Sequence, residues 1–305
     1  MAEPIGSSAV KSLVVADPLD LRLPDSRNTP WQRFRRHRLA MAGLIVLVIL
    51  CLIAILAPLV AGHSPYVVDI DRIKAPPGQG HLLGTDAAGR DVWARLVFAS
   101  RVSMSVGLVA IVVAGFIGTA IGLVSGYAGG TTDNLLMRFT ELVMTFPTFF
   151  AIIIVVSLVG PNILNVMLVI GVLGWPGLAR LVRGQVLSLR ELDYVVAARA
   201  IGAGGPRIMV AHILPGVFPY VVVAETLGLA SAILTEAGLS FLGLGVQIPT
   251  PSWGNMMNAA ESLSVVQSQP WLWIPPGVAV ALAVIASNFV GDGLRDALDP
   301  RMKIG

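Results

Sequence analysis

The sequence predicts an all-α polytopic membrane protein with six transmembrane helices. Of its 305 residues, 55% are hydrophobic and 13% are charged, and the mean hydropathy is +0.79. Globular proteins carry roughly 25% charged residues. Several apolar runs of about 20 residues have the length that a helix needs to cross a bilayer. A soluble domain and a disordered chain are therefore excluded, and so is a disulfide scaffold, because Cys51 is the only cysteine.

The elements follow in order along the chain. Residues 1–38 form a polar tail that ends in four arginines, and 39–61 is the first transmembrane helix. A cleavable signal peptide is the alternative for this run, but about 23 residues are long for a signal-peptide core. An external loop at 62–100 precedes a five-helix core at 101–291, and 292–305 form a second tail. The five further spans are predicted at 102–127, 142–159, 163–181, 216–237 and 272–290.

The basic residues predict the orientation. With alternate loops assigned to one side, sixteen of the 21 lysines and arginines lie on the side of both termini, and five lie on the other. Cytoplasmic loops carry the excess of positive charge. Both termini are therefore predicted to be cytoplasmic, and the pI of 9.3 reflects topology rather than nucleic-acid binding.

Two segments are predicted to face outward. The loop at 62–100 holds opposite charges at three- and four-residue spacings, which would place them on one face of a surface helix. These residues are Asp86, Arg90, Asp91 and Arg95. The segment at 238–271 is rich in proline, glycine and asparagine, which suits a re-entrant or surface-lying stretch. Either segment is a candidate surface for receiving an external protein.

The predicted spans contain a glycine repeat and two acids. Glycines every four residues predict one close-packing face on the second span: Gly118, Gly122, Gly126 and Gly130. Glu236 is expected near the outer end of the fifth span, within reach of water. Glu225 is expected near its middle, where an ionisable group faces the bundle interior or a wet cavity. It is either a polar contact on a transport path or a protonated group bonded to a neighbouring helix.

No pattern for catalysis or metal binding occurs in the sequence. The histidines are scattered, and the chain has no H-E-x-x-H motif, no cysteine cluster and no G-x-S-x-G elbow. It also lacks the G-x-x-x-x-G-K-[ST] loop that binds nucleotide phosphates. The prediction is a non-catalytic chain without a cofactor of its own, so any ATP that drives it must bind to another chain.

A cytoplasmic loop at 184–215 has the pattern of a short helix outside the membrane. Ser188 and Glu191 have capping-box spacing, helix formers continue to Ile201, and a glycine-rich stretch follows. Small side chains leave part of this helix nearly flat: Ala197, Ala198 and Ala200. A flat helix suits insertion into a groove on another protein, with Arg199 supplying polar contacts. The alternative is a connecting helix that lies on its own bundle.

This loop resembles the EAA loop of permease subunits in binding-protein-dependent ABC importers. The pattern is E-A-A, three residues, G, nine residues, I, any residue, L-P. Five positions match it in register: Ala197, Ala198, Gly202, Leu214 and Pro215. Two positions depart from it, because Val196 replaces the glutamate and His212 replaces the isoleucine. These departures concern individual contacts more than docking itself.

Three further segments are similar to the C-type permease of the dipeptide, oligopeptide and nickel import branch. They are HLLGTDAAGRDVWARLVFASRVSMSVGL from His81, LTEAGLSFLGLGVQIPTPSWGNM from Leu234 and GDGLRDALDPR from Gly291. With the loop, these blocks cover nearly all of the chain from Trp31 onward. The resemblance implies the fold of a type I ABC importer permease in the bacterial inner membrane.

The resemblance also implies a function and a set of partners. The chain would form half of the translocation pore for a peptide-like solute, paired with a second permease subunit. Two ATPase subunits would bind ATP and Mg²⁺, and an external substrate-binding protein would deliver the solute. The candidate residues for coupling to the ATPase are Ala197, Ala198, Arg199, Ala200, Gly202, Leu214 and Pro215. Glu225 is the candidate on the translocation path.

Two other function classes compete with this interpretation. A self-contained secondary transporter or channel would use Glu225 as a coupling or selectivity group, but it would leave the loop helix without a role. An intramembrane enzyme would need a nucleophile and a base at useful spacing, and the sequence offers none. The solute is not determined, since dipeptides, longer peptides and nickel complexes all fit.

Overall fold

The computed structural model describes residues 29–78 and 80–298. Within these ranges the chain is almost entirely helical, and β pairing is limited to two isolated bridges. The helices are α1 (Pro30–Arg36), α2 (Arg38–Ile55), α3 (Ala57–Val60), α4 (Val92–Ala128), α5 (Gly130–Thr145), α6 (Thr148–Val159), α7 (Ile163–Gly174), α8 (Pro176–Leu189), α9 (Asp193–Ala200), α10 (Gly205–Ile208), α11 (Leu214–Phe241), α12 (Trp253–Met257), α13 (Leu263–Ser268) and α14 (Ile274–Leu298). Most of the predicted tail at 1–38 and the end of the tail at 292–305 lie outside the described residues.

The long helices agree with the predicted number of membrane crossings. Five segments are long and apolar enough to span a bilayer: Arg38–Ile55, Val92–Ala128, Ile163–Leu189, Gly205–Phe241 and Ile274–Leu298. A sixth crossing is present if α5 and α6 count as one span, whose halves are bent by 83°. The prediction of an all-α protein with six spans is confirmed on that count.

The third predicted span, at 142–159, is wrong as a single straight helix. Phe146 is extended, with φ −85° and ψ 134°, and a residue that precedes a proline is driven out of the α region. Because Pro147 follows, α5 ends at Thr145 and α6 begins in a new direction. The second span also differs from its prediction, since α4 begins at Val92 and takes up the end of the predicted external loop.

Helix α4 is central, because it contacts α2, α7, α8 and α11. The predicted close-packing face is confirmed for Gly118, Gly122 and Gly126, which all meet α8. A Cβ atom on Gly122 would lie 2.6 Å from the carbonyl oxygen of Ala179. Gly130 does not belong to this face, because α4 ends at Ala128 and Gly129 turns the chain with φ +64°. The glycines therefore set the distance between α4 and α8.

The bundle has two ends, which we call the α9 end and the opposite end. The α9 end carries the C-terminus of α4 and the start of α11. Gly205, which lies between α9 and α11, packs there against Tyr127 in the last turn of α4. The C-terminus of α14 is also at this end, because α14 starts next to the segment at 242–273 and crosses the bundle once. The opposite end carries the segments at 61–91 and 242–273.

A buried acid holds the opposite end together. Glu236 is 0% exposed, and its carboxylate accepts hydrogen bonds from Ser103 Oγ at 2.8 Å and Ser240 Oγ at 2.7 Å. Each hydroxyl in turn accepts a backbone N–H, Ser103 from Trp253 and Ser240 from Val246. The expectation that Glu236 reaches water is wrong, because the chain after α11 folds over it. The acid joins α11, α4 and this returning segment.

The segment at 242–273 packs on the bundle as a series of short helices. Ser252 and Asn255 form a capping box at the start of α12, which satisfies backbone N–H groups that a helix start leaves unpaired. Trp253, the first residue of α12, is 1% exposed. It lies in an apolar cluster with side chains from α4, α11 and α14, including Val92, Leu229 and Val280. This packing covers the ends of the spans.

The charged residues before α4 form a compact loop. The predicted surface helix over them is wrong, because the helix begins only after Asp91, which is its N-cap. Asp86 Oδ2 lies 2.8 Å from Arg90 Nε and 3.3 Å from Arg95 Nε. The predicted pairing of opposite charges is thus present for Asp86 and Arg90, within a loop rather than along a helix. The loop fixes the chain at the start of α4.

The glycine face of α4 leads to a prediction about stability. Gly122→Ala should lower the free energy of unfolding by about 1–3 kcal/mol, because its methyl group would overpack the contact with α8. Gly184→Ala is the matched control, since no atom lies within 4 Å of a Cβ there. This control should be neutral or stabilising by up to about 1 kcal/mol. Thermal unfolding in detergent measures both, and equal melting temperatures would contradict the assigned contact.

Candidate functional site

The loop predicted to dock on another protein contains the short helix α9. It spans Asp193–Ala200, and the chain turns after it at Gly202, whose φ is +86°. The predicted capping box at Ser188 and Glu191 is wrong. Ser188 lies within α8, and its hydroxyl donates to the carbonyl oxygen of Gly184 at 3.5 Å. Because α8 packs on α4, it remains helical beyond Ser188, although the spacing of Ser188 and Glu191 predicted a helix start there.

One face of α9 is buried in the chain's own core. Val195 is 0% exposed and Ala198 is 6% exposed. They belong to an apolar cluster with side chains from three spans: Leu123 of α4, Val186 of α8 and Val217 of α11. The prediction that Ala198 lies on a docking surface is therefore wrong, because this alanine is small to fit the interior of the same chain.

The other face of α9 is exposed, and apart from Asp193 at its start it is apolar. Ala197 and Ala200 are both exposed, and they lie three residues apart on one side of the helix. Val196 is also exposed, and Ile201 at the end of the helix is 87% exposed. A small apolar surface thus projects from the end of the bundle. It contains Ala197 and Ala200 of the predicted coupling residues, together with Val196 and Ile201, which the predicted set omits.

Further contacts hold α9 against α4 and α11. The guanidinium of Arg199 lies 5.7 Å from the ring centroid of Tyr127, which is close enough for a cation–π interaction. Tyr194 donates a hydrogen bond to the carbonyl oxygen of His212 at 3.4 Å. Beyond the π-helical turn that contains His212, Leu214 is partly buried in the same apolar cluster and Pro215 is exposed. The predicted residues thus divide between an inner and an outer face.

An ion pair between α5 and α8 was not predicted from the sequence. Arg183 on α8 donates from Nε and Nη2 to the two carboxylate oxygens of Asp133 on α5, both at 2.6 Å. Ser125 on α4 donates to the same carboxylate. Arg190 donates from Nη1 to the carbonyl oxygen of Gly126 at 2.8 Å. These partners are up to 64 residues apart, and no local spacing in the sequence could have paired them.

A cavity of about 1060 Å³ lies beside α11. One face of α11 lines it at steps of three or four residues, through Gly216, Tyr220, Ala224, Gly228, Ser231 and Thr235. From 216 to 235 this face is roughly 28 Å long at 1.5 Å per residue. The hydrocarbon core of a bilayer is about 30 Å thick. The cavity therefore follows α11 through nearly the full depth of a membrane.

Glu225 lies near the middle of this stretch and lines the cavity. It makes no hydrogen bond or ion pair with any residue in the described part of the chain, unlike the fully bonded Glu236. Its neighbour is Gly115, where a Cβ would lie 3.4 Å from the carboxyl carbon of Glu225. Arg295, at the α9 end, lines the same cavity. Glu225 and Arg295 therefore line the same cavity at different depths along the bundle.

Comparisons with known proteins agree with this architecture. Residues 118–304 match the family described as binding-protein-dependent transport system inner membrane component. Residues 29–77 match the N-terminal transmembrane domain of oligopeptide transport permease C.

Named relatives cover most of the chain. A protein of Brucella suis named as a peptide permease is 43% identical, over 89% of this chain and 90% of its own. The dipeptide transport system permease protein DppC of Alkalihalophilus pseudofirmus is 40% identical, over 90% and 91%. The glutathione transport system permease protein GsiD of Pectobacterium atrosepticum is 39% identical, over 91% and 93%. The chain therefore belongs to the binding-protein-dependent inner membrane transport components, as a non-catalytic, pore-forming permease subunit that works with separate ATPase and substrate-binding components.

Proposed function

We propose that this permease subunit docks on its ATPase through the exposed face of α9 and imports a peptide-like solute along the cavity beside α11. The complex would contain a second permease subunit, two ATPase subunits that bind ATP and Mg²⁺, and an external substrate-binding protein. Both termini and α9 would lie in the cytoplasm, which the excess of basic residues on that side favours. The observation that carries the proposal is the division of α9 into a buried and an exposed face.

The exposed face of α9 has the properties of a docking surface. A helix that leaves Val196 and Ile201 uncovered outside the lipid exposes apolar area that a protein partner would bury. Ala197 and Ala200 keep the surface between them flat, so that the helix fits a groove. Gly202 and Pro215, which are also predicted coupling residues, are exposed. They follow α9 in the chain, so their contacts with the ATPase would lie at the edge of this docking surface.

The buried face of α9 provides the mechanical link. Val195 and Ala198 lie in one apolar cluster with side chains from α4, α8 and α11. Arg199 and Tyr194 add polar contacts to α4 and to the turn before α11. Close-packed interiors transmit displacement rather than absorb it. A movement of the ATPase that shifts α9 would therefore shift the spans that line the cavity.

We expect Ile201→Asp to detach the ATPase without unfolding the permease. The side chain is 87% exposed, so the substitution alters no internal contact, but it places an unpaired charge in the docked interface. Burying an unpaired charge typically costs about 2–5 kcal/mol, which weakens binding by roughly 30-fold or more. Co-purification of the ATPase from detergent extracts and solute uptake in whole cells measure the effect.

The control for this variant is Leu82→Asp. Leu82 is 72% exposed and lies at the opposite end of the bundle. Leu82→Asp therefore introduces the same charge as Ile201→Asp, but far from α9. The control should keep its ATPase. If Ile201→Asp retains the ATPase at the parental ratio, α9 is only a connector, and the proposed docking surface is wrong.

Substitutions at Ala197 and Ala198 should separate the two faces of α9. Ala198→Trp should lower the melting temperature and the abundance in the membrane, since overpacking a core costs typically about 1–3 kcal/mol. Ala197→Trp should leave both unchanged and instead reduce co-purification of the ATPase. Thermal unfolding and co-purification on the same preparations distinguish the cases. A stable Ala198→Trp protein would show that α9 does not pack as described.

The cavity and the relatives together favour a peptide-like solute. The relatives are named for transport of peptides, dipeptides and glutathione. At about 1060 Å³, the cavity is at the upper end of the range of small-ligand sites. Glu225 gives it one acidic group that has no partner among the described residues, and an ammonium group is the peptide function that would pair with it.

Glu225→Gln should preserve assembly and slow uptake. The amide keeps the shape and a hydrogen-bond acceptor but removes the charge. A hydrogen bond to a charged group contributes about 1.5–3 kcal/mol, so uptake of a peptide with a free amino terminus should fall roughly tenfold to a hundredfold. Glu261→Gln, an exposed acid away from the cavity, is the control. Normal uptake by the Glu225 variant would remove it from the path.

A further inference from the structure

The amino-terminal helix α1 is held firmly on the bundle. Its N-cap Thr29 and Gln32 form a capping box, with Pro30 in the first turn. Phe34 is 3% exposed and lies in an apolar cluster with Ala40 of α2 and Val290 of α14. The position of α1 is therefore fixed relative to the spans, and the side chains opposite Phe34 point away from the protein.

Three arginines on the outer side of this corner are exposed: Arg35, Arg36 and Arg38. Residues 29–60 contain no aspartate or glutamate. Across the contact with α14, Asp296 is 3.6 Å from His37 Nε2, and Asp292 on the same helix is exposed. These two acids cannot balance the basic group, so the corner has an excess of positive charge.

The basic corner lies at the edge of the apolar surface of the first span. Arg38 is the first residue of α2, and Leu39 directly after it is 54% exposed. Exposed apolar side chains continue along α2, including Ile45 and Ile49. This surface faces the hydrocarbon, because α2 is one of the membrane spans. The guanidinium groups thus lie where the apolar surface of this span ends, which is the level at which lipid phosphates are expected.

An aromatic side chain marks the same depth. Trp31 is 57% exposed and stacks on Phe34 with 5.8 Å between the ring centroids. Tryptophan is enriched at the membrane interface, because its ring is apolar and its N–H group can reach water or headgroups. Arginine binds phosphate through paired N–H groups. Both residue types therefore favour the same environment.

We infer that α1 and the start of α2 form a binding site for the headgroups of anionic phospholipids. Arg35, Arg36 and Arg38 contact the phosphate groups, and Trp31 lies among the glycerol and upper acyl regions. Phe34 ties this site to α2 and α14, so bound lipid fixes their ends at the membrane surface. This inference concerns the lipid contacts of the subunit and does not depend on docking of the ATPase at α9.

The test is native mass spectrometry of the assembled importer in micelles that contain phosphatidylglycerol and phosphatidylcholine. The variant R35Q/R36Q/R38Q is compared with R138Q/R180Q/R207Q, which loses three exposed arginines outside α1 and α2. The first variant should lose bound phosphatidylglycerol by roughly fivefold per charge removed. The second should retain it. The variant R35K/R36K/R38K keeps the charges and should retain most of the lipid, while melting temperatures check that each protein is folded.

Three outcomes would overturn the inference. Retention of phosphatidylglycerol by the glutamine variant at α1 would show that the site lies elsewhere. Equal loss in both glutamine variants would show a response to net charge alone. Loss of a protein subunit with the lipid retained would identify the basic corner as a protein contact.

Discussion

The close approach of α4 to its neighbours is the packing constraint on which the rest of the structure depends. In lipid, helices gain little from the hydrophobic effect on association and rely on close packing and polar contacts. Gly118, Gly122 and Gly126 allow this close packing, because they place no side chain in the contact with α8. Since α4 also contacts α2, α7 and α11, its position determines where the cavity beside α11 can lie.

Polar contacts fix this arrangement at both ends of the bundle. At the opposite end, the Glu236 carboxylate gathers Ser103 of α4, Ser240 of α11 and the returning segment. At the α9 end, Asp133 binds Arg183 through two short hydrogen bonds. Buried polar groups carry a large penalty unless they are fully bonded. Both clusters give their polar groups hydrogen-bond partners, whereas Glu225 between them has no such partner among the described residues. That contrast supports the proposal that Glu225, unlike Glu236 and Asp133, is available to a solute.

In the proposed complex, the eight residues of helix α9 combine a structural and an interacting role. Its inner side chains complete the core at one end, and its outer side chains extend the protein surface toward a partner. The two roles are compatible because small residues serve both: Ala198 fits a crowded interior, and Ala197 keeps the outer surface flat. A helix built in this way cannot move independently of the spans that it touches, and coupling in the proposed importer requires that property.

The sequence by itself determined the class, the number of spans and the family. Hydropathy and charge act locally along the chain, so apolar runs predict crossings, and the ordered blocks around the loop predict the permease. The prolines and glycines also hold local information, although the bend before Pro147 was missed. Only the tertiary structure decided which face of α9 is buried and that Glu236 is enclosed. It also decided which base binds Asp133. These features depend on residues brought together from distant parts of the chain, and no local pattern records which of them will meet.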